Sequence, residues 1–202
     1  YTPGSFPDRF SDLVGHLRVQ GGGMLGAPTN PEGLMDWRLG GDVGALVANG
    51  LGGGSLINAG VCEPAADSVF DHKDWPEPWR GNRAHWHDLY ARARGNLGAQ
   101  QWPCGRVDKQ AAMGRLAKRL GADCDAVWLS IVPPDASPPA ASPSANGPPT
   151  AACIECGDCF TGCNVGAKRT LGHTYLAGAH AQRARLFTGA TVHSVVAAPP
   201  SD

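Results

Sequence analysis

Charge is scarce in this sequence. Asp, Glu, Lys and Arg make up only 17% of its 202 residues, and 17 basic residues against 18 acidic ones leave a formal net charge of −1. That balance, with no basic block anywhere along the chain, excludes a nucleic-acid binder driven by electrostatics. Long apolar runs are missing as well, so no stretch of about 18 apolar residues is present to cross a membrane as a helix. The opening Tyr1-Thr2-Pro3-Gly4-Ser5-Phe6-Pro7 has no initiator Met and neither the basic nor the apolar region of a signal peptide. The chain is therefore expected to be an internal section of something longer. Internal repeats are also lacking.

What is abundant is glycine (28) and proline (17), beside a hydrophobic content of 42% that suffices for one sizeable core. Much glycine with little charge suggests backbone running close to other backbone or to a ligand. A codon bias toward Ala, Gly, Pro and Arg also contributes to such a composition. Of the seven cysteines, Cys62, Cys104 and Cys124 stand alone, while Cys153, Cys156, Cys159 and Cys163 form one tight group. An odd total clustered in this way does not read as a secreted disulfide framework, so a reducing, cytoplasmic compartment is expected.

Residues 1–48 read as loop-rich, with one short strand at 16–20. Trp86, Leu89, Tyr90, Ala93 and Leu97 recur at helical spacing and predict a helix over 85–97, which Pro76 and Pro78 keep from starting earlier. A second helix is predicted from Asp108, as its N-cap, to a stop at Gly121. Residues 126–132 read as a strand closed by Pro133-Pro134. Seven of the eighteen residues from 133 to 150 are proline, which marks a linker or surface excursion. Thr170 can cap a helix whose face carries Leu171, Tyr175 and Ala179, and the β-branched residues of 186–196 read as a strand with a turn near Thr188-Gly189. These shifts divide the chain into 1–132, a 133–150 linker, and 151–202.

Two glycine clusters stand out. Gly21 to Gly26 satisfies G-x-G-x-x-G letter by letter, but Pro28 and Pro31 follow where a helix N-terminus would have to receive a pyrophosphate. That match reads as an irregular loop over 21–31. The second cluster runs from Ala48 to Val61 and holds Gly52-Gly53-Gly54-Ser55. Consecutive glycines bring backbone N–H groups close to a flat or anionic ligand with no Cβ in the way. Ser55 and Asn58 can bond such a ligand, and Leu56 and Ile57 can anchor the segment in the core. A tight turn between buried strands would use the same residues.

This second segment resembles the first signature of the glucose–methanol–choline (GMC) oxidoreductases, a flavoprotein family, and within it the cholesterol-oxidase branch. The resemblance runs from Leu51-Gly52-Gly53-Gly54-Ser55 through Asn58 to Glu63-Pro64, and continues in Trp75-Pro76 and the helix around Tyr90. It resumes in Cys163-Asn164-Val165-Gly166-Ala167-Lys168, Thr174-Tyr175-Leu176 and Phe187 to Val192. Asn49 and Cys62 depart from the family's pattern. The resemblance implies an α/β fold: a partial FAD/NAD(P)-binding domain of GMC type with loop-rich segments, lacking the N-terminal dinucleotide-binding βαβ unit and the C-terminal catalytic part. It also implies FAD, bound covalently or not, an alcohol or sterol-like substrate, hydride transfer to flavin and an electron acceptor. Carried over by position, Gly53 and Gly54 would approach the flavin with backbone, Asn58, Ala59 and Val61 would line it, and Val192 would meet adenine. No catalytic base can be named within the chain.

The group Cys153, Cys156, Cys159 and Cys163 has the spacing of a bacterial ferredoxin run, so an iron–sulfur (4Fe-4S) electron-transfer module is the competing reading. Against it, Asn164 rather than proline follows the last cysteine, and no second run is present. Some GMC relatives carry a similar turn, which implies structural thiols instead. An inactive truncated chain is a third reading. His85 and His87 fall on different helix faces, and His173 and His180 read as surface histidines. Trp75, Trp79, Trp86 and Trp102 read as packing around the proline-rich turns. Lys168 has no phosphate-binding loop beside it and receives no ligand role.

Overall fold

The computed structural model describes residues 1–21, 30–103, 106–136 and 147–197. The chain is mixed α/β, and its described residues form two small sheets joined by long irregular segments. A short helix α1 (Phe10–Gly15) leads into β1 (Leu17–Gly21), which pairs in parallel with β2 (Met35–Leu39). β2 then pairs antiparallel with β3 (Gly44–Ala48), Met35 opposite Ala48. The described residues of 1–48 thus hold three strands where only one was expected. In β2 the acid Asp36 hides the strand pattern: it is 2% exposed and held by Arg38 at 3.1 Å and Arg18 at 3.9 Å. A buried carboxylate is tolerable only with such partners, and they lie on the same strand and on its neighbour. The G-x-G-x-x-G match lies outside the described residues apart from Gly21, which closes β1.

Helix α2 (Arg83–Leu97) starts two residues before the predicted 85, because Asn82 caps it by accepting the His85 N–H at 3.3 Å. Helix α3 (Asp108–Leu120) ends as expected at Gly121, in left-handed conformation. Its N-cap, however, is Val107, and Asp108 sits in the first turn, where a carboxylate favours the positive end of the helix. Between them β4 (Gln100–Gln101) pairs with β5 (Trp128–Leu129). The predicted strand at 126–132 is paired as strand only over β5, but its neighbours are bonded on both sides. Ser130 N–H donates to Gly60 O, Arg169 N–H to Ser130 O, and Val132 N–H to Ala167 O, at 2.8–3.0 Å. Thr170 caps a single 3₁₀ turn (Leu171–His173) in a capping box with His173, and helix α4 (Tyr175–Ala181) begins after it.

No strand forms over 186–196. Val192, Val195 and Val196 are 76–90% exposed, and among the described residues no strand pairs with this segment. β-branched composition favours an extended chain but cannot supply the neighbour that its N–H and C=O groups need. The proline-rich stretch is described only at its edges, 133–136 and 147–150.

Two cores result. Phe6, Leu34, Met35, Leu56 and Ile57 form the first; Trp102, Ile131 and Ala167 form the second, with Cys153, Cys159 and Cys163 packed against it. Trp75, Trp79 and Trp86 gather instead around Phe70, whose ring stacks on Trp86 at 4.4 Å. Trp102 belongs to the second core, away from that cluster. The N-terminus is tied to the cysteine turn by Asn164: its Oδ1 accepts the N–H groups of Gly4 and Phe6, and its Nδ2 donates to Phe6 O, all at 3.0 Å.

Gly162 makes this docking possible, since at φ +117° a Cβ there would lie 2.0 Å from the Phe6 ring. Gly162→Ala is expected to cost about 3 kcal/mol through overpacking and a left-handed backbone. Urea unfolding checks this, and the double variant with Phe6→Ala should lose less than the sum of the two single changes, because one clash links them.

Candidate functional site

The glycine segment leaves β3 and folds into a 3₁₀ turn, Gly53–Leu56, preceded by Gly52 in left-handed conformation (φ +110°). Leu56 and Ile57, 3% and 6% exposed, sink into the first core and hold the turn in place. Burying two such side chains contributes about 1.5–3 kcal/mol each. The turn forms one wall of a cleft of about 490 Å³, from Asn49 to Gly54; Leu171 and Leu176 form the floor, and Phe187 to Ala190 the facing wall. Gly53 is half-buried and Gly54 exposed.

The expected site residues divide here. Gly53 and Gly54 line the cleft; Asn58, Ala59, Val61 and Val192 are exposed and do not line it. Asn58 Oδ1 accepts the Gly60 N–H at 3.2 Å, closing a local turn. Ser55, read as a ligand contact, bonds within the protein instead: its Oγ donates to Gly52 O at 2.8 Å and accepts the Leu171 N–H at 3.0 Å. That hydroxyl stitches the glycine wall to the floor. Asn49, which departs from the family pattern, also bonds across the fold, with its Nδ2 donating to Pro31 O and Gly33 O at 2.9 and 3.1 Å. The first-wall backbone is thereby pinned to the turn ahead of β2.

The decisive side chain beneath the turn is Lys168, 1% exposed. Its ammonium donates to Leu56 O and Asn58 O at 2.8 Å each and to Cys159 O at 2.6 Å. Three N–H donors meet three main-chain carbonyls. Burial pushes the Lys168 pKa down to about 8, while the thiols of Cys159 and Cys163 pull it the other way. Its neighbour Arg169 is buried too, donates to Gly98 O at the end of α2, and has its pKa lowered by burial. A cation there also suits the negative end of the helix. His173, read as a surface histidine, is 7% exposed, with its pKa lowered by burial and then by the charge of Arg169. None of these links is visible in local sequence; the only clue to Lys168 was its place in the Gly-Ala-Lys run.

The six described cysteines are free thiols. Among the described residues, no group of three or more His, Cys, Asp or Glu side chains is arranged to hold a metal ion. The iron–sulfur reading of Cys153, Cys156, Cys159 and Cys163 therefore finds no ligand set there. Burial raises the Cys153 and Cys159 pKa values, and for Cys159 the Lys168 ammonium acts in the opposite direction. Among the described residues, no helix is long and apolar enough to cross a membrane.

The chain is similar to cholesterol oxidase. Two cholesterol oxidases of Mycobacterium tuberculosis, from strains CDC 1551 / Oshkosh and ATCC 25618 / H37Rv, are each 29% identical to it over 160 residues, covering 73% of this chain. The chain spans 27% of the length of those cholesterol oxidases. No family model matches it, and no solved structure matches it.

Lys168→Met is expected to leave three carbonyls unmatched and to cost on the order of 3 kcal/mol. Lys168→Arg should fail to restore it, because a planar guanidinium cannot reproduce a three-way fan of donors. Urea unfolding of both variants checks this, and a Lys168→Arg protein as stable as the wild type would contradict it.

Proposed function

We propose that this chain is a section of an FAD-dependent oxidoreductase of the GMC type that oxidises the CH–OH group of an alcohol or sterol-like substrate. The observation that carries the reading is at Gly54. A Cβ built there meets no atom of the protein within 4 Å, and its φ lies outside the left-handed region. Neither packing nor backbone geometry among the described residues calls for glycine at this position; Gly15, Gly41, Gly95, Gly114 and Gly178 share that freedom, but of these six Gly54 is the one that lines the cleft. A flat ring lying against the cleft wall does call for it, since a side chain would occupy the ring's place. Gly53 differs, because its φ of +52° gives it a conformational reason of its own.

FAD, when bound, would supply the hydride acceptor for the alcohol carbon. This chain's residues would then provide shape and polarity. Gly53 and Gly54 would offer main chain to the ring, while Asn58, Ala59 and Val61, which lie outside the cleft lining, would extend the contact over the exposed surface that follows the turn. Val192 would meet the adenine with its backbone. Lys168 and Ser55 would act one layer behind, fixing the wall rather than touching the ligand. The sterol-like substrate class rests on the similarity to cholesterol oxidase, and the catalytic base is proposed to lie outside this chain.

The test is Gly54→Ala in the protein purified at its natural length. The expected outcome is a soluble protein with an unchanged unfolding midpoint. Its flavin content, read from the absorption bands at about 370 and 450 nm, should be lower by about tenfold or more. Full flavin content with normal alcohol oxidation in that variant, or no flavin in the wild type, would overturn the reading.

A further inference from the structure

The turn from Cys153 to Cys163 carries chemistry that the cleft does not use. Cys153 is half-buried, packed against the core of Trp102, Ile131 and Ala167, with its N–H bonded to Val132 O at 3.0 Å. Its Sγ accepts the N–H of Glu155 at 3.3 Å, so the sulfur is bonded to the peptide between Ile154 and Glu155, one residue ahead of Cys156. Glu155 adopts a left-handed φ of +59°, which a non-glycine residue rarely does, and its carboxylate is held by Arg106 at 2.9 Å. Gly157 follows at φ +88°. Between these two left-handed residues sits Cys156, exposed to solvent. One sulfur is thus fixed inside and the other presented outside, on a short stretch of backbone held by three separate bonds.

We propose that Cys153 and Cys156 form a thiol–disulfide site, with Cys156 the entering thiol and Cys153 the resolving one. The oxidant is a low-molecular-weight disulfide of the glutathione type. The Cys156 thiolate attacks one of its sulfurs; that S–S bond breaks, and one small thiol leaves carrying the proton given up by Cys156. Cys153 then attacks the Cys156 sulfur of the mixed disulfide and releases the second small thiol with its own proton. Two protein thiols are oxidised and one small disulfide is reduced, with no other electrons involved. The division of roles follows from access. An exposed thiol meets the oxidant, and a half-buried one stays inert until a mixed disulfide forms beside it. Burial raises the Cys153 pKa and keeps that thiol protonated and slow until the mixed disulfide stands beside it, an effect that the Glu155 N–H bond offsets only in part. Cys159 and Cys163 remain as packing residues next to Lys168. The site makes no use of flavin.

Cys124 provides an internal control, since it is exposed and has no cysteine near it in the sequence. The full chain is incubated with oxidised glutathione at about pH 8, remaining thiols are alkylated, and peptides are mapped by mass spectrometry. The expected result is a Cys153–Cys156 disulfide, formed at least about tenfold faster than glutathione is attached at Cys124. Cys153→Ser should instead accumulate glutathione on Cys156, and Cys156→Ser should leave Cys153 unreacted. If Cys153→Ser does not fold, the wild-type map decides alone through the identity of the linked pair. Reaction at Cys156 no faster than at Cys124, a different linked pair, or a metal ion that protects the turn until chelator is added would each overturn the proposal.

Discussion

A single ammonium group holds the glycine turn and the cysteine turn together. Lys168 reaches Leu56, Asn58 and Cys159 with its three donors, and each bond ends on main chain. A lysine buried in this way loses hydration that costs several kcal/mol, so it persists only when every donor is matched. Because its partners are carbonyls rather than a carboxylate, the group remains a net positive charge inside the protein. The lowered pKa is the measure of that unrelieved charge. The arrangement fixes where the peptide planes of residues 56 and 58 point, and with them the orientation of the turn just before, Gly53–Leu56.

That orientation separates two kinds of glycine in a segment where the letters look alike. Gly52 and Gly53 have positive φ, so the backbone path itself selects them. Gly54 has neither a positive φ nor a neighbour to clash with. The same distinction applies to the polar residues. Ser55 looks like a ligand contact in the sequence and Asn49 like a mere departure from the family pattern, yet both bond across the fold, one to the floor of the cleft and the other to the turn ahead of β2. The cleft wall is backbone, and the side chains around it are its supports.

What could be read in advance was local. Helices α2 and α3 announced themselves through spacing and through stops such as Gly121, and the anchoring of Leu56 and Ile57 followed from two apolar residues after a glycine run. What could not be read depended on distant partners. Asp36 conceals β2 because a carboxylate in a strand makes sense only once Arg18 and Arg38 are beside it. His173 passed for a surface residue because its burial is set by Arg169 and the elements packed around it. The run at 186–196 erred in the opposite direction, having the composition of a strand with no strand alongside. The α/β character was accessible; which segments would pair was not, because pairing belongs to no single segment.

Asn164 places a constraint on the order in which this chain can be assembled. It holds the N–H groups of Gly4 and Phe6 across 160 and 158 residues of sequence, and the Phe6 ring closes against Gly162 in the same place. During synthesis the first residues of this stretch therefore emerge long before the turn that seats them. Phe6 belongs to the first core, so that core stays open on one side until residues 162–164 arrive. Closing so large a loop late carries a substantial entropic cost, and contacts of this range slow folding. Residues 4–6 are made long before residues 162–164 and settle only after them.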